Sequence, residues 1–466
     1  MTDNRDGIAS GAGRQPTFNQ RKERKEVVAG GRLSSSNFVA AEKQKNTIST
    51  YNSKIKQLVQ YVRDTPKYNH LFDGSNSELH EKIILPLGTE LVAEFFQLYA
   101  YKDRASTSVD ETLISRSSAS SYRSSIVYLY SLRKMKQPED EREFIVSFLR
   151  GFNNVLAERK NLGLQTSREG KDHLRLKDYV SLCDLAMTGK QMSLSGADNE
   201  LSLMVHSFMT LQWNLIQRAR TISDICYDGF ELDNDHFVIM IDKLKNDTTG
   251  ERQYPRSVHA NITNPEVCPI LALALYFFSV NSVHNDVDKL DRRIYRNGSP
   301  RFSEWLGRMI KSGAVAFDID VEDDLSSGEK RRTGSHSLRK GADSYLEQLM
   351  DSPNSAAIQK RAGWSLGVID AYLLCGGGQD QHASRCLSLL FDQNKKSFAQ
   401  LMPHFHPSIV NETHINIPDG TSYHWREVIS GWEQLNSGFR KCIPYLLARV
   451  CHASLDSYLS NKLPGE

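Results

Sequence analysis

Residues 331–340 read Arg-Arg-Thr-Gly-Ser-His-Ser-Leu-Arg-Lys, which places His336 three positions before Arg339. This spacing is nearly one helical turn, so both side chains are expected on one face of a helix. A Gly-Trp pair ending at Trp364 follows, and then Tyr372. An imidazole and a guanidinium can hold a phosphodiester that a phenol attacks. Among 14 His and 58 Lys and Arg, about one His-x-x-Arg is expected by chance, so the upstream sequence decides its meaning.

Composition is that of an ordinary globular protein with room for two or three domains, since 39% of the 466 residues are hydrophobic and 24% are charged. The formal net charge is only +2, so any nucleic-acid surface must come from local basic patches. Apolar runs fall short of the roughly 20 residues that span a bilayer. The first residues lack the layout of a signal peptide, and no membrane partner is expected.

Seven cysteines are scattered without a Cys-x-x-Cys pair, which indicates reduced thiols in an intracellular protein. His404 and His406 have no nearby Cys partners and are a poor metal signal. We therefore expect neither a metal nor another cofactor. The basic run at residues 21–25 could serve as a nuclear-import signal, or it could be a solvated charge run.

The fold class predicted from periodicity is mainly α with a small β-sheet. Apolar residues recur at spacings of three and four in four stretches between residues 48 and 156, which predicts a small all-helical domain. Farther along, residues 201–225 form one long apolar helical pattern, and 235–241 predict a strand whose turn at 246–250 leads into a hairpin. The predicted organisation is a disordered tail at 1–43, a helical DNA-binding domain at 44–160, a linker at 161–173, a second domain at 174–395 and a C-terminal tail at 396–466.

Two arginines compete for a role as phosphate ligand. In one continuous helix, Arg218 would share its face with Leu215 and Ile222, where a buried guanidinium needs an anionic partner. Arg220 would lie on another face, where Asp224 can pair with it one turn later. The facing argument therefore favours Arg218. Downstream, the turn of the predicted hairpin carries a lysine, which is either an ordinary exposed side chain or a proton donor in a DNA groove.

The order of Arg, hairpin Lys, His-x-x-Arg, Trp and Tyr resembles the tyrosine recombinase family. The chain is more specifically similar to recombinases of Crypton-type eukaryotic DNA transposons, over most of residues 210–390. The matching segments are residues 213–215, 245–247, 250–252, 254–256, 268–273, 336–341 and 361–367. The resemblance assigns the active-site positions to Arg218, Lys245, His336, Arg339, Trp364 and Tyr372.

The resemblance implies an all-helical core-binding domain before an α+β catalytic domain, which cleaves and rejoins double-stranded DNA. Arg218 and Arg339 would clamp the phosphate oxygens, and Trp364 would donate its indole N–H. His336 would donate a hydrogen bond or accept the proton of the tyrosine.

The chemical step implied by the family is attack by Tyr372, which leaves a 3′-phosphotyrosyl link while Lys245 protonates the departing 5′ oxygen. Thr221 stands where the family has an acidic residue, and Tyr372 follows Trp364 by eight residues, about one fewer than expected. Tyr345 is a rival nucleophile that is expected to pack inward.

The implied function is integration or excision of a mobile element in the nucleus, by a dimer or tetramer on DNA. The alternatives are DNA relaxation by a type IB topoisomerase and a domesticated DNA-binding protein without activity. The apolar aromatics of the C-terminal tail suggest docking on a neighbouring protomer. A basic surface is expected to contact the DNA backbone through Arg331, Arg332, Lys340, Lys360 and Arg361.

Overall fold

The structure, a computed structural model, divides into two units, Met1–Glu169 and Gly170–Glu466. This boundary lies within the segment that the sequence predicts to be a linker. The tail predicted at 1–43 falls outside the described residues. The structure describes residues 45–76, 78–103, 112–165, 170–189, 196–241, 255–283, 293–313, 333–364, 377–390 and 402–462.

The first unit is helical, with α1 packed on α3 and α4 packed on both α2 and α3. Aromatic side chains dominate its core, where the ring of Phe95 lies 4.4 Å from Tyr99 and 5.6 Å from Tyr122. Ser115 caps α3 by accepting a hydrogen bond from the backbone N–H of Ser118. The helices are α1 (Lys45–Asp64), α2 (Thr89–Tyr99), α3 (Arg116–Leu132) and α4 (Glu139–Asn161).

The second unit combines helices with two small antiparallel sheets, which confirms the predicted class of mainly α with a small β component. In the described residues, no helix is long and apolar enough to cross a membrane. Its elements are α5 (Leu176–Thr188), α6 (Gly196–Leu215), α7 (Ala219–Ser223), β1 (Phe230–Asp233), β2 (His236–Met240), β3 (Pro255–His259), α8 (Pro269–Val283), α9 (Gly298–Ser312), α10 (Ser335–Gln348), α11 (Ser355–Ala362), α12 (Gly378–Leu387), β4 (His414–Asn416), β5 (Ser422–His424), α13 (Trp425–Val428) and α14 (Ser437–Lys462).

Helix α6 is the centre of this unit, because α5, α8, α9 and α10 all pack against it. Trp213 near its end is fully buried and stacks on Tyr179 with ring centroids 4.1 Å apart. The buried α6 thus fixes the positions of the chain that leaves its C-terminus and of the helix α10 that crosses it.

The sequence prediction of one helical stretch over residues 201–225 misses a break at residues 216–218. Helix α6 ends at Leu215, where Ile216 adopts a left-handed backbone with φ 50°. The amide of Ile216 donates to the Trp213 carbonyl and that of Gln217 to the Gln212 carbonyl, the pattern of a Schellman motif. A separate short helix, α7, begins after Arg218.

The three-stranded sheet has the order β1-β2-β3, with every neighbouring pair antiparallel. Strand β2 agrees with the predicted strand at 235–241, whereas β1 was not predicted. Val238 of β2 lies opposite Ser257 of β3. The predicted turn at 246–250 and the return at 252–254 lie outside the described residues.

The C-terminal segment belongs to the core of the second unit. Helix α14 packs against β1 and α8, and its Phe439 is fully buried against Phe230 and Phe277. Trp425 and Trp432 stack on each other inside the same core. The prediction that these aromatics dock on a neighbouring protomer therefore loses its basis, since they are buried within their own chain.

Candidate active site

Arg218 lies in the connection between α6 and α7, where it is the N-cap residue of α7 in an extended conformation. It is half-buried, and burial lowers the pKa of its guanidinium. No residue in the described part of the chain forms a hydrogen bond or ion pair with this guanidinium. A partly buried cation without a protein partner is a place for an anion.

Arg220 has the surroundings that the sequence predicts. Its Nε donates to Asp224 Oδ2 at 3.1 Å, and its side chain is 76% exposed. The predicted pairing is thus confirmed, while the shared helical face invoked for Arg218 does not exist because α6 ends three residues earlier. Arg218 and Arg220 still differ in their surroundings, but the cause is the turn that separates α6 from α7.

Arg339 is buried in the first half of α10, with 2% of its surface exposed. Its Nη2 donates to the carbonyl of Ala362 at 2.8 Å, but its buried Nη1 has no partner among the described residues. Burial, together with the positive charge of Arg218, lowers the pKa of Arg339 to about 10. The two guanidinium groups therefore act on each other, and in the described part of the chain Asp343 offsets the charge of Arg339 only in part.

Trp364 is positioned over Arg339 by the end of α11. Gly363 takes the left-handed conformation with φ 72°, and the amide of Trp364 turns back to the Gln359 carbonyl at 2.9 Å. The indole ring then covers the guanidinium of Arg339 at 5.4 Å, while 37% of the residue stays exposed. One face of the tryptophan holds the arginine and the remainder is accessible to a ligand.

His336 is exposed in the first turn of α10, three residues before Arg339 as predicted. This helix start is fixed from two sides. Gln212 of α6 donates to the Ser335 carbonyl at 2.8 Å, and the Ser337 hydroxyl accepts the Gly334 amide at 3.1 Å. The imidazole is therefore carried by a rigid element whose next turn supplies Arg339.

Two predicted residues, Lys245 and Tyr372, lie outside the described residues. The rival Tyr345 is half-buried on α10, 6.2 Å from the ring of Trp213, and burial raises its pKa to about 12. A phenol that is harder to ionise and packed against the core is poorly suited to attack, which agrees with the expectation that Tyr345 packs inward.

Arg361 was predicted to contact DNA, and the structure contradicts this. It is fully buried, donates to the carbonyls of Asn214 and Ser257, and pairs with Asp380 at 2.5 Å. Asp380 in turn accepts the amide of Ser257. Arg361 therefore joins α6, β3 and α12 and has a structural role inside the protein.

Lys360, another predicted DNA contact, is also buried, with 6% of its surface exposed. Arg331 and Arg332 lie outside the described residues, and Lys340 is exposed.

Sequence reasoning did not find Arg256, which joins this buried layer from β3. Its side chain is 1% exposed and its Nε donates to the Arg361 carbonyl at 3.0 Å. Its positive charge is a further contribution that lowers the pKa of Arg339. The alternating pattern of a strand gave no signal for it, because a charged residue there is expected to face solvent. A region this cationic suits an anionic ligand rather than a metal ion.

Comparison with known proteins gives structural matches only, since the chain matches no protein-family model and no curated protein. It is similar to XerH site-specific recombinase bound to difH substrate, with TM-score 0.38, 14% identity, and coverage of 74% of this chain and 88% of that one. For a lambda integrase dimer bound to a COC′ core site, the TM-score is 0.36 and the identity 13%, with coverage of 83% of this chain and 99% of that one. For the FLP recombinase–Holliday junction complex, the TM-score is 0.38 and the identity 10%, with coverage of 90% of this chain and 100% of that one. All three TM-scores lie below 0.5.

Proposed function

We propose that this protein is a tyrosine recombinase, an enzyme that cleaves and rejoins DNA through a covalent phosphotyrosyl intermediate. The observation that carries the proposal is the pair of Arg218 and Arg339: the charge of Arg218 acts on Arg339, Asp343 offsets the charge of Arg339 only in part, and among the described residues neither the Arg218 guanidinium nor Nη1 of Arg339 has a partner. Trp364 covers Arg339, and His336 precedes Arg339 by nearly one turn of α10. An anion with several oxygen atoms is the ligand that satisfies such a group.

A phosphodiester fits the pair for electrostatic reasons. Each guanidinium can donate two parallel hydrogen bonds to phosphate oxygens, and the buried Nη1 of Arg339 has a donor to spare. The charge on these oxygens grows in the transition state of phosphoryl transfer, so fixed cations stabilise it more than the ground state. Repulsion between Arg218 and Arg339 in the free protein is relieved when the phosphate binds.

The reaction follows from the resemblance of the sequence to the family. The phenol oxygen of Tyr372 attacks phosphorus and the bond to the 5′ oxygen breaks, which leaves a 3′-phosphotyrosyl ester. His336 accepts the phenol proton and Lys245 donates a proton to the departing oxygen. Rejoining runs the same steps in reverse from a 5′ hydroxyl, so the bond energy is conserved and no ATP is needed.

The finer assignment rests on the same resemblance. We propose a Crypton-type recombinase that acts on double-stranded DNA in the nucleus, as a dimer or tetramer, to integrate or excise a mobile element. The helical first unit would serve as a DNA-binding domain. An excision assay on a plasmid separates this role from DNA relaxation by a topoisomerase, which changes supercoiling and leaves the order of the DNA unchanged.

The decisive test is covalent capture on a nicked suicide substrate made from DNA that flanks the coding sequence. Wild type should form a protein–DNA adduct that survives denaturation, and Tyr372→Phe should form none because it lacks the attacking oxygen. Tyr345→Phe is the matched control and should form the adduct at a rate similar to wild type. Absence of an adduct with wild type, or its persistence in Tyr372→Phe, would show that the proposal is wrong.

A further inference from the structure

A second cluster of reactive side chains lies at the end of the three-stranded sheet and takes no part in the proposed chemistry. It consists of Asp235, His236 and His259, which we term the histidine cluster. His236 of β2 and His259 of β3 stand directly opposite each other in the strand register, with rings 4.7 Å apart. Both are almost completely buried, at 2% and 1% exposure, whereas the Asp235 side chain reaches solvent.

The distances within the histidine cluster approach those of a metal site. The three candidate ligand atoms, one from each residue, all lie within 4.8 Å of one another. Asp235 Oδ1 is 3.1 Å from His236 Nδ1. Two ligands at about 2.1 Å from a tetrahedral Zn²⁺ lie roughly 3.4 Å apart. Because the two imidazole rings are stacked at an interplanar angle of 19°, one ring must turn for both nitrogen lone pairs to point at one ion.

His259 has the outer contact that orients a metal ligand. Its Nδ1 contacts the hydroxyl of Ser384 at 2.8 Å, and its buried Nε2 has no hydrogen-bond partner among the described residues. When Nδ1 donates a hydrogen bond to Ser384, Nε2 presents a free lone pair, and metal-bound histidines almost always have such a partner on the second nitrogen. On the other ring, Asp233 Oδ2 lies 3.8 Å from His236 Nε2, which is beyond hydrogen-bond distance.

Arg385 contacts the same carboxylate without occupying all of it. Its Nη2 donates to Asp235 Oδ2 at 3.2 Å, which leaves Oδ1 directed at His236. The guanidinium thus orients the carboxylate, although its charge also weakens the attraction for a cation. The exposed side of Asp235 provides the route by which an ion enters.

We propose that the histidine cluster binds one divalent transition-metal ion of the Zn²⁺ type through Asp235 Oδ1, His236 Nδ1 and His259 Nε2, with water as the fourth ligand. One carboxylate and two imidazoles are a ligand set suited to this ion. The ion replaces the proton between Asp235 and His236, and that proton moves to Nε2 of the same ring, next to Asp233. The site is independent of the DNA chemistry.

A metal ion at this position would fasten the sheet to α12. The ion would connect Asp235, in the turn before β2, with His259 of β3. Ser384 and Arg385 of α12 contact these same two ligands. Binding to the folded state alone raises the melting temperature in proportion to the logarithm of the metal concentration. A rise of roughly 5 °C is expected at a concentration 100-fold above the dissociation constant.

The test is metal content and melting temperature of the full chain after equilibration with ZnCl₂ and removal of free ion. Wild type should retain one equivalent of zinc and show the rise in melting temperature, and His259→Asn should lose both. The matched control is His424→Asn, which alters another pair of directly opposed histidines, His414 and His424 of β4 and β5, whose rings lie 5.0 Å apart. This control should retain the zinc.

Two results would overturn the site: wild type without bound zinc, or equal zinc retention in wild type and His259→Asn. If His259→Asn fails to fold, Asp235→Asn at the more exposed ligand decides in its place. Loss of the zinc from Asp235→Asn supports the site, and undiminished retention refutes it. Zinc that is lost only in His424→Asn would place the ion at the other histidine pair and refute the site as well.

Discussion

Arg218 and Arg220 are two residues apart and differ in the charge that faces them. The Arg218→Ala variant should reduce the rate of DNA cleavage by about 10² to 10³-fold, because one donor to the transition-state phosphate is lost. Its stability should be nearly unchanged, since the guanidinium has no partner among the described residues and repels Arg339. Arg220→Ala removes only an exposed ion pair worth less than about 1 kcal/mol and should leave cleavage within a few-fold of wild type. Adduct formation under single-turnover conditions measures both rates, and a reversed order would refute the assignment.

Asp343, one turn after Arg339, is a carboxyl group that the fold disfavours in its charged form. Its pKa is raised from 3.8 to about 6, mainly by burial and also by the negative charge of Glu347, while the positive charge of Arg339 opposes the rise. The folded state thus holds this proton more tightly than the unfolded state, so stability should fall as the pH rises from about 4 to 6. Its Oδ1 is buried without a hydrogen bond to any described residue.

Asp343→Asn should therefore be more stable than wild type at pH 7, by about 1 kcal/mol once solvent screening of this half-buried group is allowed for. The difference should vanish below about pH 4, where both side chains are neutral. Urea denaturation from pH 3.5 to 7.5 measures it. A stability difference that does not change with pH would contradict the explanation.

At the level of elements, the end of α6 shows what the sequence could and could not predict. The apolar spacing continues from Leu215 to Ile222, which is why one helix was predicted. The helix stops because the Asn214 carbonyl, which would accept the amide of residue 218, instead accepts Nε and Nη2 of Arg361. The end of the helix thus depends on Arg361, which is 147 residues from Asn214 in the chain. Local periodicity carries no information about such a distant contact.

The same limit applies to the site. The order of charged and aromatic residues selected Arg218, His336, Arg339 and Trp364 as candidates. In the structure Trp364 covers Arg339, and the charge of Arg218 acts on Arg339. The buried supports Arg256 and Arg361 were missed or assigned to the surface, because their partners are carbonyl groups of distant elements.

Gly341 of α10 is required by a close approach of two backbones. A Cβ atom there would stand 2.0 Å from the carbonyl oxygen of Leu174, whose amide donates to Ser337 of the same helix. Gly341→Ala should cost about 2 kcal/mol or more, since backbone must move. The control is Gly307→Ala in α9, where a Cβ meets nothing within 4 Å; it should stabilise by about 0.5–1 kcal/mol. Thermal denaturation of both variants measures the contrast, and equal effects would contradict it.

At the level of the whole molecule, the C-terminal segment completes the second unit. Phe439 of α14 is fully buried, and its ring lies 4.8 Å from Tyr227 and 5.5 Å from Phe230. Phe439→Ala should destabilise the protein by about 3–5 kcal/mol. Tyr423→Ala in β5 removes an aromatic that is 42% exposed and should cost less than about 1 kcal/mol. Chemical denaturation compares the two, and a small effect at Phe439 would mean that the segment is not part of this core.

The ion pair between Arg361 and Asp380 makes three elements depend on one carboxylate. Asp380 pairs with Arg361 and also accepts the amide of Ser257, so it holds both the end of α11 and strand β3. Arg361 in turn donates to the Asn214 carbonyl at the end of α6. Loss of this carboxylate would leave a buried guanidinium without its counter-charge, so a change at the start of α12 would disturb the end of α6 as well.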